Sequence, residues 1–387
     1  MQTQIFMVHK RHLGLRAPTV LAVGFALTIL VGALVLMLPV SAADGQITPF
    51  LDALFTAASA SCVTGLVTVS TAVHWSVFGK CVILLLIQIG GLGFMSVAAI
   101  ASFVLRRTIT LHERMVMSAG LNLSDGGGIV RLTRRVLFGT FIIEGTGAVL
   151  LSCRFVPHYG FPKGITMGVF HAVSAFCNAG FDLMGTPDDP FQSLIGWAED
   201  PLVNITVMAL IVLGGLGFFV WSDVWDKHSF CRLRLHTKIV LTATAGLLLF
   251  GFGWTLLFEW SNPATLGAFD TPHKLLAAAF ESVTLRTAGF NTIDLGALTG
   301  PSQAVSCLLM FIGGSPGSTA GGIKTVTAAV LVLTAISAFC GRTTVSAFGR
   351  TIAPRSIMNA VTLLMAGGVL CLVGACAIAG IEDAPFH

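Results

Sequence analysis

The chain is 387 residues long, 55% hydrophobic and 10% charged, with a net charge of +4 and a mean hydropathy of +0.87. Soluble domains carry about 25% charged residues, so a soluble enzyme is excluded, no nucleic-acid partner is expected, and the composition points to an all-α polytopic membrane protein. Its nine cysteines form neither a C-x-x-C pair nor a metal-ligand spacing and read as small apolar residues in helices.

Apolar runs of roughly 20 residues can cross a bilayer. In chain order they cover 17–40, 79–105, 136–153, 202–225, 238–258, 303–340 and 357–380, the sixth interrupted in its middle. Between them lie three half-apolar stretches too short to cross, 47–66, 164–181 and 272–290. Sixteen of the 22 Lys and Arg fall in alternate connections. Lys10, Arg11 and Arg16 precede the first run. Arg106, Arg107, Arg114, Arg131, Arg134 and Arg135 follow the second. Lys227, Arg232, Arg234 and Lys238 follow the fourth, and Arg342, Arg350 and Arg355 follow the sixth. The opposite side holds Asp44, Asp52, Asp182, Asp188, Asp189, Glu199, Asp200, Asp270 and Asp294. Basic loops stay in the cytoplasm, so the expectation is a multi-pass protein of the cell membrane with a cytoplasmic N-terminus. An acidic outer vestibule would gather cations.

The three short stretches repeat one another. TPFLDALFTAASASCVTGL (48–66), GVFHAVSAFCNAGF (168–181) and TPHKLLAAAFESVTLRTAGF (271–290) each end in a glycine followed by an apolar residue: Gly65, Gly180 and Gly289, spaced by 115 and 109 residues. Thr-Pro at 48 and 271 suits a helix start, with Thr as cap. Each stretch precedes a run with a glycine cluster: GGLGF at 90–94, GGLGF at 214–218 and GGSPG at 313–317. The repeated unit is therefore pass, re-entrant helix, glycine turn, pass (M1–P–M2). Non-helical backbone at membrane depth is tolerated where it is buried in protein or lines water. Three such turns from one side point to one pore. Glycine permits the left-handed angles that turn carbonyls inward, and such carbonyls can replace the hydration shell of a monovalent cation. The candidate selectivity filter is Val63-Thr64-Gly65, Asn178-Ala179-Gly180 and Thr287-Ala288-Gly289.

The interruption is GGSPGSTAGGIKT, 313–325. Gly313, Gly314, Gly317, Gly321 and Gly322 oppose a helix. Pro316 removes a donor. Ser315, Ser318 and Thr319 can serve the freed carbonyls. Lys324 is a cation in a conduction path and must move or be paired. The equivalent GGLGF of the first two units can remain helical, so the insertion reads as a device. A Walker A loop is rejected, because Ile323 separates Gly322 from Lys324.

The motifs CVTGL, CNAGFDL, ESVTLRTAGFNT and GGSPGSTAGGIKT resemble the Trk/Ktr/HKT superfamily, most closely its potassium-translocating membrane subunits, from about residue 16 onward. The resemblance implies four M1–P–M2 repeats around one pore, potassium uptake, a homodimer, and a cytoplasmic nucleotide-binding regulatory subunit. It implies that Gly65 accompanies potassium selectivity and that 313–325 is an intramembrane gate. It also implies coordination of potassium by backbone carbonyls alone, with no cofactor bound. Leu285 stands where the family usually has Pro, with a small effect on turn rigidity expected.

The implied division is 17–106, 107–226 and 227–340 for three units, then 341–387 for a linker and the first helix of an incomplete fourth. At the repeat spacing a fourth filter glycine would fall at about position 400. GSTAGG cannot replace it, because Gly289 and Gly321 are only 32 residues apart, and two passes need roughly 40. The chain therefore resembles a truncation or fragment. The alternatives to potassium conduction are a non-conducting truncated paralogue and, disfavoured by the lack of an acid at the helix break, an ion-coupled carrier. No nucleophile–base pair, metal cluster or nucleotide motif speaks for an enzyme.

Other expectations concern single residues. Arg286 should brace the third filter, with Glu281 as its partner. Glu144 is a functional carboxylate or a helix–helix hydrogen-bonding group. Asn178 and Asp182 should hold the second turn by their side chains, as Asn291 and Thr292 hold the third, and His171 should be structural. Segment 106–135, with the DGGG loop at 125–128, docks a regulatory subunit or faces anionic membrane lipid.

Overall fold

The structure, a computed structural model, describes residues 17–93 and 129–381. The protein is an all-α polytopic membrane protein. The first unit comprises α1 (Ala17–Leu36), α2 (Phe50–Cys62) and α3 (Val77–Leu92). The second comprises α4 (Ile129–Tyr159), α5 (Phe161–Phe176), α6 (Pro201–Leu216) and α7 (Phe218–Lys227). The third comprises α8 (Leu235–Glu259), α9 (Thr271–Thr284), α10 (Gly300–Phe311) and α11 (Thr325–Phe339), and is followed by α12 (Pro354–Ile381). Among the described residues, windows in α1, α4, α8 and α12 are long and apolar enough to cross a membrane, and the α6–α7 pair is a fifth candidate.

In the first two units the short helix packs against both of its longer companions, α2 on α1 and α3 and α5 on α4 and α6; in the third, α9 packs on α8. The units join through α3 with α5 and α6 with α9. One apolar core runs through all three. Ala57, Ala60, Ala175, Phe176, Phe280 and Phe290 meet in it, each without solvent exposure. Small residues on the re-entrant helices allow this close approach, and the outer helices turn leucine, valine and phenylalanine outward, as for Leu27, Phe138, Leu249 and Leu370. A lipid-facing surface needs that pattern, because hydrocarbon replaces water as the solvent.

Helix starts follow capping chemistry. Ser76 accepts from the Gly79 amide at 3.2 Å, and Asp200 accepts from Leu202 and Val203 at 3.0 and 3.1 Å. The Thr-Pro starts differ from expectation by one residue. Pro49 itself is the N-cap of α2, while the Thr48 hydroxyl lies 3.1 Å from His74 Nε2. Asp270 is the N-cap of α9, with Thr271 its first residue.

The fourth run is not one continuous helix, and here the sequence expectation is corrected. The GGLGF of the second unit does not stay helical. Helix α6 stops at Leu216, Gly217 takes φ 91°, and α7 leaves at 91° to α6. Gly93, at φ 79°, ends α3 in the same way. The left-handed angle open to glycine explains both stops. Between α11 and α12 a short hairpin pairs β1 (Ser346–Ala347) with β2 (Arg350–Thr351). Its two-residue turn, Phe348 at φ 51° and Gly349 at φ 73°, has the two positive φ values of a type I′ turn.

Lys10, Arg11, Arg16, Arg106, Arg107, Arg114, the end of the second run, the 125–128 loop and residues 382–387 lie outside the described residues.

Candidate functional site

The three glycine turns share one backbone device. Each places a non-glycine residue at positive φ two positions before the glycine: Val63 (56°), Asn178 (56°) and Thr287 (64°). Each glycine is also at positive φ: Gly65 (82°), Gly180 (70°) and Gly289 (83°). The residues between, Thr64, Ala179 and Ala288, do not take positive φ. Alternation of the sign of φ turns successive peptide planes so that their carbonyls can share one side. A β-branched residue such as Val63 or Thr287 at positive φ is a genuine outlier. Such strain persists where the surroundings over-determine it.

The turns are fastened to the helices before them. The Thr64 amide donates to Ser59 O and the Ala179 amide to Ser174 O, both at 2.8 Å. In the third turn the Ala288 amide donates to Thr284 O at 2.9 Å, one residue tighter. Hydroxyls close two turns from behind: Ser174 donates to Phe181 O at 2.7 Å and Thr284 to Phe290 O at 2.6 Å.

The turns also meet one another. A methyl group built on Gly65 would stand 2.5 Å from Ala179 O, and one on Gly180 would stand 2.7 Å from Ala288 O. One on Gly289 would stand 3.1 Å from Gly180 Cα. Residues 115 and 109 positions apart in sequence thus converge so closely that only glycine fits.

The segment between α10 and α11 is non-helical, with Gly317 at φ 67° and Gly322 at φ 70°. It folds back on itself: Gly314 donates to Gly321 O (3.2 Å), Ile323 to Phe311 O (2.9 Å) and Thr325 to Gly314 O (2.9 Å). It docks into the break of the second unit. Ser315 donates to Gly215 O (3.0 Å), Thr319 to Gly214 O (3.2 Å), and Phe218 to Gly317 O (2.9 Å). The carbonyls freed at the end of α6 are therefore the acceptors for the loop. A methyl group on Gly217 would stand 2.8 Å from Pro316 O. One on Gly214 would overlap Phe176 O.

The loop also reaches the turns above it. The Thr319 hydroxyl lies 2.9 Å from Phe176 O and 3.0 Å from Asn178 Oδ1. The Gly321 amide donates to the Thr287 hydroxyl at 3.0 Å. Lys324 is paired, its Nζ donating to Ala320 O at 2.6 Å. Ser315 and Ser318 do not serve freed carbonyls by their side chains, because neither hydroxyl has a hydrogen-bond partner; backbone amides do that work.

Arg286 braces the third turn, but not through Glu281. Its Nη2 donates to Gly313 O at 2.9 Å and to the Thr325 hydroxyl at 3.0 Å. Both Glu281 oxygens are buried without a hydrogen-bond partner. Glu144 accepts from Gln88 Nε2 through both oxygens at 3.1 Å, which joins α4 to α3 beside Cys177. His171 is structural: Nδ1 donates to Met167 O at 2.7 Å, and Nε2 accepts from the Leu183 amide at 3.2 Å. Asp182 holds its turn by accepting from Met184 N at 2.9 Å. Asn291 acts through its backbone, donating to the Ser193 hydroxyl at 3.1 Å and accepting from Leu194 at 3.0 Å. The Thr292 hydroxyl has no partner. Sequence reasoning missed the Gly214–Gly217 socket, although its signal, GGLG on a run of membrane length, was in view.

A family model, TrkH, described as a cation transport protein, matches residues 10–378. The potassium/sodium uptake protein NtpJ of Enterococcus hirae is 41% identical over 365 residues, which cover 94% of this chain and 79% of that protein. The Ktr system potassium uptake protein B of Bacillus subtilis is 41% identical over 369 residues, 95% of this chain and 81% of that protein. The crystal structure of the potassium transporter TrkH from Vibrio parahaemolyticus shares the fold, with a TM-score of 0.66 at 17% identity over 95% of this chain and 74% of that one.

Proposed function

This chain belongs to the TrkH family of cation transport proteins, a family of transporters and not of enzymes, and from that premise we propose that it carries potassium into the cell through a carbonyl-lined filter gated by the intramembrane loop. The filter is Val63-Thr64-Gly65, Asn178-Ala179-Gly180 and Thr287-Ala288-Gly289, and the gate is 313–325. The names of its relatives, uptake proteins for potassium or for potassium and sodium, support the ion. The observation that carries the site is the convergence of Gly65, Gly180 and Gly289 at distances only glycine allows.

The chain's own part is passive and electrostatic. Backbone carbonyls replace the hydration shell of the ion, and no covalent step is needed. The loop beneath blocks the exit while the carbonyls of α6 and the Arg286 guanidinium hold it. The ion passes when the Arg286 bonds at the two ends of the loop are exchanged for water, while Thr319 and Gly321 in its middle stay on the filter turns. A homodimer, the repeat boundaries at 106, 226 and 340, and a regulatory nucleotide-binding subunit docked on the basic cytoplasmic connections complete the proposal. The N-terminus faces the cytoplasm, as the charge asymmetry argues.

The test is uptake of potassium and of sodium by Gly65→Ser in cells lacking other potassium uptake. A side chain at Gly65 would press on Ala179 O and widen or tilt the ring of carbonyls. Sodium entry should rise relative to potassium; an unchanged ratio overturns the filter assignment.

A further inference from the structure

The filter and the gate are not merely neighbours. Two of the three non-glycine filter residues held at positive φ, Asn178 and Thr287, are bonded through their side chains to the gate loop. Thr319 is the centre of the first link. Its hydroxyl lies 2.9 Å from the Phe176 carbonyl and 3.0 Å from Asn178 Oδ1. The Phe176 carbonyl closes the second re-entrant helix and Asn178 opens the second turn, so the single proton of this hydroxyl is shared between acceptors at both ends of that junction. The second link runs the other way, from the Gly321 amide into the Thr287 hydroxyl at 3.0 Å. Asn178 and Thr319 are buried, Asn178 at 1% exposure, so water does not readily replace the first link; the second link is exposed. Val63, the third residue of this kind, has an apolar side chain and cannot form such a link. Strained backbone angles persist only where contacts over-determine them. At Asn178 and Thr287 the gate loop is one of those contacts.

We propose that the hydroxyls of Thr319 and Thr287 are specificity-determining positioning groups: the seated gate loop holds the second and third filter turns in the carbonyl geometry that discriminates potassium from sodium, so that selectivity and gating are one coupled property. This rests on the filter reading above. Neither hydroxyl touches the ion. They act through the orientation of the Asn178 and Thr287 peptide groups. A purely structural role would change the amount of protein or the total flux and leave the ion ratio alone.

The experiment uses the full chain in the membrane of cells lacking other potassium uptake. Initial rates of potassium and sodium uptake are measured for Thr319→Val, Thr319→Ser, Thr287→Val and Gly65→Ser, with protein quantified in the membrane. Thr319→Val preserves shape and removes the hydroxyl, and Thr319→Ser restores it. The expected result is a three- to tenfold rise in the sodium-to-potassium ratio for both valine variants, with the serine variant at the parental ratio. Thr287→Val breaks a separate link, so either valine variant decides if the other is absent from the membrane. If Gly65→Ser shifts the ratio while the valine variants keep the parental one, the coupling is wrong and the filter stands. If Gly65→Ser itself leaves the ratio unchanged, the filter reading falls and takes this inference with it. A serine variant as unselective as the valine one also overturns the proposal, because the hydroxyl would then not be the cause.

Discussion

The guanidinium of Arg286 donates to the Gly313 carbonyl at 2.9 Å, joining the residue before the third filter turn to the first glycine of the gate loop. The same nitrogen reaches the Thr325 hydroxyl, which in turn donates to Gly313 O at 3.2 Å. This buried triangle fixes both ends of the loop, Gly313 at its entry and Thr325 at its exit. A charge-assisted hydrogen bond of this kind contributes about 1.5–3 kcal/mol. If it forms only in the seated state, Arg286→Gln should shift the gate equilibrium toward open by roughly ten- to a hundredfold at 1.4 kcal/mol per decade. The measurement is potassium flux into proteoliposomes without regulatory partner. Arg286→Lys should not restore the parental flux, because a point ammonium cannot reproduce the planar fork. A parental flux in Arg286→Gln would remove Arg286 from the gate.

The break after Leu216 offers an independent handle on the same loop. Gly217 at φ 91° has Pro316 O 2.8 Å from where a Cβ would lie. Gly217→Ala therefore combines backbone strain of order 1–3 kcal/mol with a steric push on the loop. The expected outcome is higher basal flux at parental protein levels. Gly246, whose added Cβ would meet nothing within 4 Å, is the control, and Gly246→Ala should leave flux unchanged. Equal flux in parent and Gly217→Ala would show that the socket does not hold the gate shut.

Glu144 sits at membrane depth with both oxygens on Gln88 Nε2, beside Cys177 and with no contact to a filter glycine among its hydrogen bonds. A brace between α3 and α4 predicts a loss of stability and not of ion affinity. Glu144→Ala leaves the half-buried Gln88 amide nitrogen without its carboxylate acceptor, at a cost of about 1–3 kcal/mol. Its melting temperature in detergent should fall by several degrees while the potassium concentration for half-maximal uptake stays unchanged. A large rise in that concentration would instead place the carboxylate on the ion path.

Much of this architecture is legible in the sequence, for a physical reason. Glycine is needed where backbone approaches backbone, and Gly65, Gly180 and Gly289 mark those places at near-constant spacing. Their convergence, and the positive φ two residues earlier, is then a matter of geometry. The loop at 313–325 is equally visible, because five glycines and a proline cannot remain helical in a run of that length. What is not visible is the partner of each polar group. Arg286 has Glu281 five residues away in sequence, yet the helical end of α9 turns it toward Gly313 O. The GGLG at the end of α6 reads as a tolerated helix interior until the loop whose amides donate to its carbonyls is placed beside it. Local composition states that a turn can form; which distant amide stabilises it is fixed by packing between units.

Leu285 tests how far a family habit binds this chain. Its amide donates to Glu281 O at 3.0 Å, a bond that the proline implied here by the resemblance could not make. Its backbone, φ −59° and ψ −11°, already satisfies the proline ring. Leu285→Pro would lose one hydrogen bond of about 1 kcal/mol and part of a buried side chain. It would regain about 0.4–1 kcal/mol from a stiffer unfolded chain. The residue before it, Thr284, ends α9 and must tolerate the crowding a following proline imposes. Its hydroxyl bond to Phe290 O at 2.6 Å keeps that residue in place. The net expectation is a melting temperature lower by no more than a few degrees, with the potassium-to-sodium ratio at the parental value. Measuring both on the same purified variant separates the two properties. A collapse of selectivity without loss of stability would mean that the Leu285 amide, and not the glycine turn alone, sets the geometry of the third filter strand.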